Sequence, residues 1–342
     1  MKPDLPSNQK ARDWLTQIDQ SSSWLPLGAF LLALLFTPLG TLWWLWLLII
    51  GGLFLAQRLQ PSTAVLWAVV ALAGGILTAG AWNPRTLSPT LRNEPNDLQT
   101  LDWSGVQRLE IRGFNGNLRL NIRETGGDLR LERKGGASVV LEKRGDTLRL
   151  VARKPFFSFS SGVHMVLDIP PNLFLNLQTS NGGVRIEGLT REILAKTSNG
   201  RIEVRDTGKT KANLETSNGE IILERLSGEV KAKTSNAKIR VLQSSEVRLG
   251  LQTSNADVQL ENVGLQNNTT SSIESSNGAV QLEHIRASSG LTIRGSTNNS
   301  RVEVDLPEFE VRLEDQRFEA LKSGFGMAVL EVRTSNERIV VR

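Results

Sequence analysis

Cleaving a glycan takes two carboxylates a few ångströms apart, one to protonate the leaving oxygen and one to attack or activate water, often with calcium nearby. The acids that stand out in this sequence, Asp206, Asp257 and Asp305, fall in different segments with no acidic cluster around them. The two histidines, His164 and His284, stand apart and read as ordinary surface or strand residues. Gly324-Phe325-Gly326 has glycines but lacks the strand–turn–helix setting of a phosphate-cradling loop. Cysteine is absent, which excludes disulfides and Cys-ligated metals. These residues therefore predict no catalytic group, no cofactor and no metal site. The expectation is a protein that is not an enzyme.

The chemistry that does recur is amide hydrogen bonding. The phrase Thr-Ser-Asn-Gly, or a close variant, places Asn181, Asn199, Asn218, Asn236, Asn255 and Asn277 about 20 residues apart, with further copies at Asn299 and Asn336. Stacked repeats would set these side chains in one column, each amide bonded to the next. Asn and Gly also tolerate left-handed backbone, so the phrase predicts a sharp corner of that kind.

The elements around the corner follow from the flanking residues. Three and five positions after each Asn come apolar residues such as Val184/Ile186, Ile202/Val204 and Ile221/Leu223. Four and six positions before it come others, such as Leu177/Leu175 and Leu214/Ala212. A period of two marks strands with one buried face. Each repeat is thus expected to be two short strands joined at the Asn, with a second turn such as Leu226-Ser227-Gly228 closing the coil. This predicts an all-β fold, a β-solenoid over 171–342. Outward positions alternate in sign from repeat to repeat: Arg201, Glu220, Lys238, Asp257 two residues after the Asn, and Lys196, Glu215, Lys233 three before it. Opposite charges would meet between rungs. Net charge is only +5 and no long basic stripe is left, so no nucleic acid partner is expected.

Upstream the texture changes. Residues 106–170 carry short alternating runs, among them Leu118-Arg119-Leu120 and Leu148-Arg149-Leu150, divided by Gly-rich turns. They predict an antiparallel β-meander capping the solenoid. Residues 84–105, with Pro84, Pro89 and Pro95, read as a linker. No charge occurs from Trp24 to Ala56, and a second uncharged stretch follows Arg58, so 23–83 predicts two or three α-helical spans anchored in the lipid bilayer by tryptophans. Lys2, Lys10 and Arg12 place the 1–22 segment in the cytoplasm. Three spans put the solenoid outside the cell; two leave it in the cytoplasm.

The repeated Thr-Ser-Asn-Gly with its alternating β-branched residues resembles the bacterial "putative adhesin" β-solenoid family, which includes LiaG-like and YvlB-like proteins. Residues 37–59 are faintly similar to LiaF-like membrane modules. The resemblance implies a membrane-tethered solenoid of the cell envelope, and the family supplies no catalytic residues to carry over. Here Ala237, Ala256 and Glu337 replace the corner Gly. The functional expectation is an adhesin-like binding, sensing or structural module at the bacterial cell membrane, touching an envelope protein or a cell-wall polymer. The alternatives are a self-assembling bactofilin-like scaffold and a polysaccharide-active enzyme. Sequence alone leaves the oligomeric state open.

Overall fold

The computed structural model describes residues 96–124, 127–154 and 161–342. The chain divides into two units, Met1–Leu87 and Ser88–Arg342, and all described residues belong to the second. The expected membrane helices at 23–83 and the segment 1–22 lie outside the described residues. Among the described residues no helix is long and apolar enough to cross a membrane, and the structure is all-β.

The strands are β1 (Asn96–Thr100), β2 (Arg108–Arg112), β3 (Leu118–Ile122), β4 (Asp128–Lys134), β5 (Ser138–Arg144), β6 (Thr147–Arg153) and β7 (Gly162–Ile169). Then come β8 (Phe174–Gln178), β9 (Val184–Glu187), β10 (Glu192–Lys196), β11 (Ile202–Glu215), β12 (Ile221–Lys233), β13 (Ile239–Leu242), β14 (Val247–Thr253), β15 (Val258–Leu265), β16 (Thr270–Ser275) and β17 (Val280–Ala287). The last six are β18 (Leu291–Thr297), β19 (Val302–Val304), β20 (Glu310–Glu314), β21 (Arg317–Lys322), β22 (Ala328–Thr334) and β23 (Ile339–Val341).

Two faces of parallel strands run the length of this unit, one before and one after each Asn corner. Strands pair with exact repeat register: Val184 lies beside Ile202, Ile202 beside Ile221, Ile221 beside Ile239 and Ile239 beside Val258. Like residues therefore stack on like, and β-branched side chains pack well on such a pleated surface. All five are buried, as are Leu175, Ile193, Ala212, Val230 and Leu249 on the other face. The period-two pattern thus becomes a continuous aliphatic core between the faces, and its hydrophobic burial is the main stabilising term.

The ends depart from expectation. Residues 106–170 are not an antiparallel meander: β2 runs parallel to both β6 and β8, and β3 parallel to both β7 and β9. Asn115 explains why. Leu118 and Leu120 follow it, and Leu109 and Ile111 precede it, at the spacing of every other repeat, so β2–β3 is itself a coil of the stack. Antiparallel strands enter only at the rim, where β5 pairs with β6, β4 with β7 and β1 with β4. The supposed linker is partly folded too: β1 lies within it, and Leu101 is buried.

At the other end, the coil latest in sequence is not outermost in space. β22 pairs with β16 on one side and with β18 on the other, so the β22–β23 coil sits between two coils that precede it in the chain. The hairpin β20–β21 then closes one face through antiparallel pairing of β21 with β18. The first coil mirrors this arrangement, since β2–β3 lies between β6–β7 and β8–β9.

Candidate functional site

The corner residues form one hydrogen-bonded column. Each Asn donates its side-chain N–H to the carbonyl oxygen of the preceding one: Asn199 to Asn181 at 2.6 Å, Asn218 to Asn199, Asn236 to Asn218 and Asn255 to Asn236 at 2.7 Å, and Asn277 to Asn255 at 2.9 Å. The column continues through Asn336 on Asn277 and Asn299 on Asn336, and begins with Asn181 on Asn115. A second column runs beneath it. Thr197, Thr216 and Thr234 give their hydroxyl protons to the carbonyls of Gly182, Gly200 and Gly219 one coil earlier.

The corner glycines are needed for space and not for left-handed backbone. None of the column Asn residues, nor Gly182, Gly200, Gly219 or Gly278, has a positive φ. A β-carbon at Gly219 would instead lie 1.7 Å from the carbonyl oxygen of Gly200. This tight corner lets the Gly219 N–H reach the Thr216 hydroxyl at 3.1 Å. Left-handed backbone recurs instead seven positions after the Asn, at the opposite bend, in Gly188, Asp206, Arg225, Gln243, Asn262 and His284. The polypeptide turns there by backbone conformation, whereas at the Asn it turns by side-chain bonding.

The outer charges are largely spent between coils. Glu220 receives Arg201 at 2.9 Å and Arg240 at 2.8 Å, while Lys238 reaches Asp257 at 3.1 Å and Lys196 reaches Glu215 at 3.0 Å. Arg225 grips Asp206 with two nitrogens at 2.6 and 2.9 Å, and this bond holds the Asp206 carboxyl below its usual range. Asp206 and Asp257 are thus committed to different basic partners, and Asp305 is exposed on a third coil. His164 accepts the backbone N–H of Asn117, and the His284 N–H donates to Arg342. Gly324 packs on the backbone of Gly290, leaving Phe325 exposed in a turn. Among the described residues no group of His, Cys, Asp or Glu is arranged to hold a metal ion.

An open cleft of about 680 Å³ lies at the β20–β21 end, and sequence reading did not single it out. Register builds its surface as two rows. One reads Glu331, Arg294, Glu319, Arg312 across β22, β18, β21 and β20; the other reads Arg333, Ser296, Arg317, Glu314. In the first row Arg294 bonds Glu319 at 2.7 Å. In the second, Ser296 stands between two arginines, and Arg317 makes no ion pair among the described residues. Phe318 fills the space beneath Gly295, where a β-carbon would lie 2.0 Å from its ring. The signal was present in the sequence: Arg333 and Ser296 occupy the same offset, three before an Asn, as Lys196 and Glu215.

No family model matches this chain, and no curated protein matches it. A solved structure of a "putative cell adhesion protein" from Clostridium sporogenes ATCC 15579 is 12% identical, with a TM-score of 0.25, over 72% of this chain and 96% of that one. So distant a likeness carries no argument about what this chain does.

Proposed function

We propose that this chain is a membrane-anchored, non-enzymatic β-solenoid that serves at the bacterial envelope as an adhesin-like binding, sensing or structural module. The observation that carries the reading is closure of the stack at its ends. At one end β1, β4 and β5 pair antiparallel around the outermost coil; at the other, β21 and β20 pair antiparallel onto β18. Antiparallel strands covering a face at each end hinder addition of a further parallel coil, which argues against a filament built end to end. Core-facing positions are filled largely by aliphatic side chains, and outer acids such as Glu220 and Asp257 are held by basic partners, which supports a non-enzymatic role. The anchor is the apolar sequence at 23–83, with three spans placing the solenoid outside the cell. A cysteine-free chain allows a clean test. Ser245 is exposed at the bend opposite the Asn column. With Ser245→Cys, a membrane-impermeant thiol reagent is expected to label intact cells or spheroplasts. Labelling only after lysis would place the module in the cytoplasm and end this reading.

A further inference from the structure

We infer that the notch at Ser296, between Arg317 and Arg333, is a binding site for an oxyanion group, either a carboxylate or a phosphate. The inference goes beyond the module reading by naming the chemistry that the outer face would recognise, and it rests on that face being used for binding. These residues belong to one track of outward side chains that crosses the stacked strands. Across the strands it runs Lys196, Glu215, Lys233, Gln252, Glu274, Arg333, Ser296, Arg317, Glu314. Along most of its length a base has an acid beside it; Lys196 and Glu215, for example, meet at 3.0 Å. At Ser296 the pattern breaks. The place between two guanidinium groups, where an acid would complete the alternation, holds a short neutral side chain instead.

Three features make this break a site and not merely a gap. First, strands in a sheet are spaced about 4.8 Å apart, so Arg333 and Arg317, each one strand from Ser296, flank a space about as wide as one small anion. Second, both arginines have capacity to spare. Among the described residues Arg317 has no ion pair, and Arg333 reaches only Glu331, at 3.5 Å, with two-thirds of its side chain exposed. Third, Ser296 lines the cleft, its hydroxyl has no hydrogen-bond partner among the described residues, and Ser296, Arg317 and Glu314 also line a second, adjoining hollow. An oxyanion over Ser296 would accept the hydroxyl proton and a forked pair of N–H donors from either arginine, the geometry for which guanidinium suits carboxylate and phosphate. Glu314 and Glu331 border the notch, so it takes one charged group inserted between the arginines, free or carried on a chain. With Phe318 buried beneath the sheet, no aromatic ring is offered for stacking, and recognition is by charge and hydrogen bonding.

The test uses the purified full chain at low salt, with pyrophosphate and polygalacturonate as probes and neutral dextran as the control, read by calorimetry. Binding of pyrophosphate, of polygalacturonate or of both supports the site and identifies the source as phosphate, carboxylate or either; dextran should not bind. Arg317→Gln should weaken binding roughly tenfold, the loss expected for a charge-assisted hydrogen-bonded contact. Ser296→Glu, which places a carboxylate in the notch, should abolish binding while leaving the protein folded. Arg112→Gln, an exposed arginine on the same track far from the cleft, should change nothing. The inference is overturned if neither probe binds, or if Ser296→Glu binds as the unaltered protein does. It is likewise overturned if Arg112→Gln weakens binding as much as Arg317→Gln. Since these measurements do not depend on the compartment, their failure would leave the membrane-module reading standing.

Discussion

Replacing Asn218 by Ala removes one rung from the middle of the amide column, and the structure sets the size of the effect. Asn218 donates to Asn199 and accepts from Asn236, both at 2.7 Å, so two hydrogen bonds are lost. A hydrogen bond contributes a net ~0.5–1.5 kcal/mol. Because these side chains are exposed and water can re-solvate the orphaned amides, the lower half of the range applies, or about 1–2 kcal/mol for the pair. No backbone strain is added, since φ at Asn218 is not left-handed. For a folded unit of this size each kcal/mol corresponds to about 2–4 °C in Tm. The column carries its own control. Asn299 terminates it with a single bond, to Asn336 at 2.7 Å, so Asn299→Ala should cost about half as much. Thermal unfolding of the two variants, followed by circular dichroism, measures the ratio. An unchanged Tm for Asn218→Ala, or a larger drop for Asn299→Ala, would refute the idea that the amide column stabilises the stack.

Gly219→Ala should destabilise the protein by ~1–3 kcal/mol, because its β-carbon meets the Gly200 carbonyl, whereas Ala237→Gly at the equivalent position of the next coil should be close to neutral; chemical denaturation compares them. Glu220→Lys should lower Tm modestly, and Arg201→Glu with Arg240→Glu should restore part of the loss at low salt, since those two arginines, and not Lys238, hold Glu220. Gln243→Asn should raise stability by about 0.5 kcal/mol, because Asn occupies left-handed backbone more readily at a residue whose φ is 49°. The Asp206 carboxyl is held below its usual value of 3.8, chiefly by its hydrogen bond from Arg225, so its contribution is complete above that pH and lost as pH falls through the lower folded value. Acid titration of stability should therefore show a shallower loss below about pH 4 in Asp206→Asn than in the unaltered protein.

The repeats were legible because each was written several times over. Inward parity, corner position and outward charge all repeat, and agreement among them left little freedom in register. The bend was misplaced for a physical reason. Asn-Gly is the usual mark of left-handed backbone, but here the amide is used for bonding between coils and the glycine for clearance beneath a carbonyl. The residues that do turn left-handed include Arg225, Gln243 and His284, which carry no such mark. The parallel coil β2–β3 was hidden because Gly113 and Phe114 replace the Thr and Ser of its phrase, although Asn115 and its flanking leucines obey the rule. The cleft was hidden because its rows join strands in an order that the chain does not follow.

That order has a consequence for how the protein is made. A simple stack can grow as it is synthesised, each new coil laid on the one before. Here the β18–β19 coil and the β20–β21 hairpin are translated before the coil that joins them to the rest of the stack. Until residues 328–342 are available, β16 and β17 offer open edges, and the closing elements have nothing to close. This end of the stack is thus completed only once the β22–β23 coil enters between its two neighbours. A ribosome stalled before residue 328 would release a chain with unpaired strand edges, and such edges are what aggregation and proteolysis recognise. Closure of the fold waits on the β22–β23 coil.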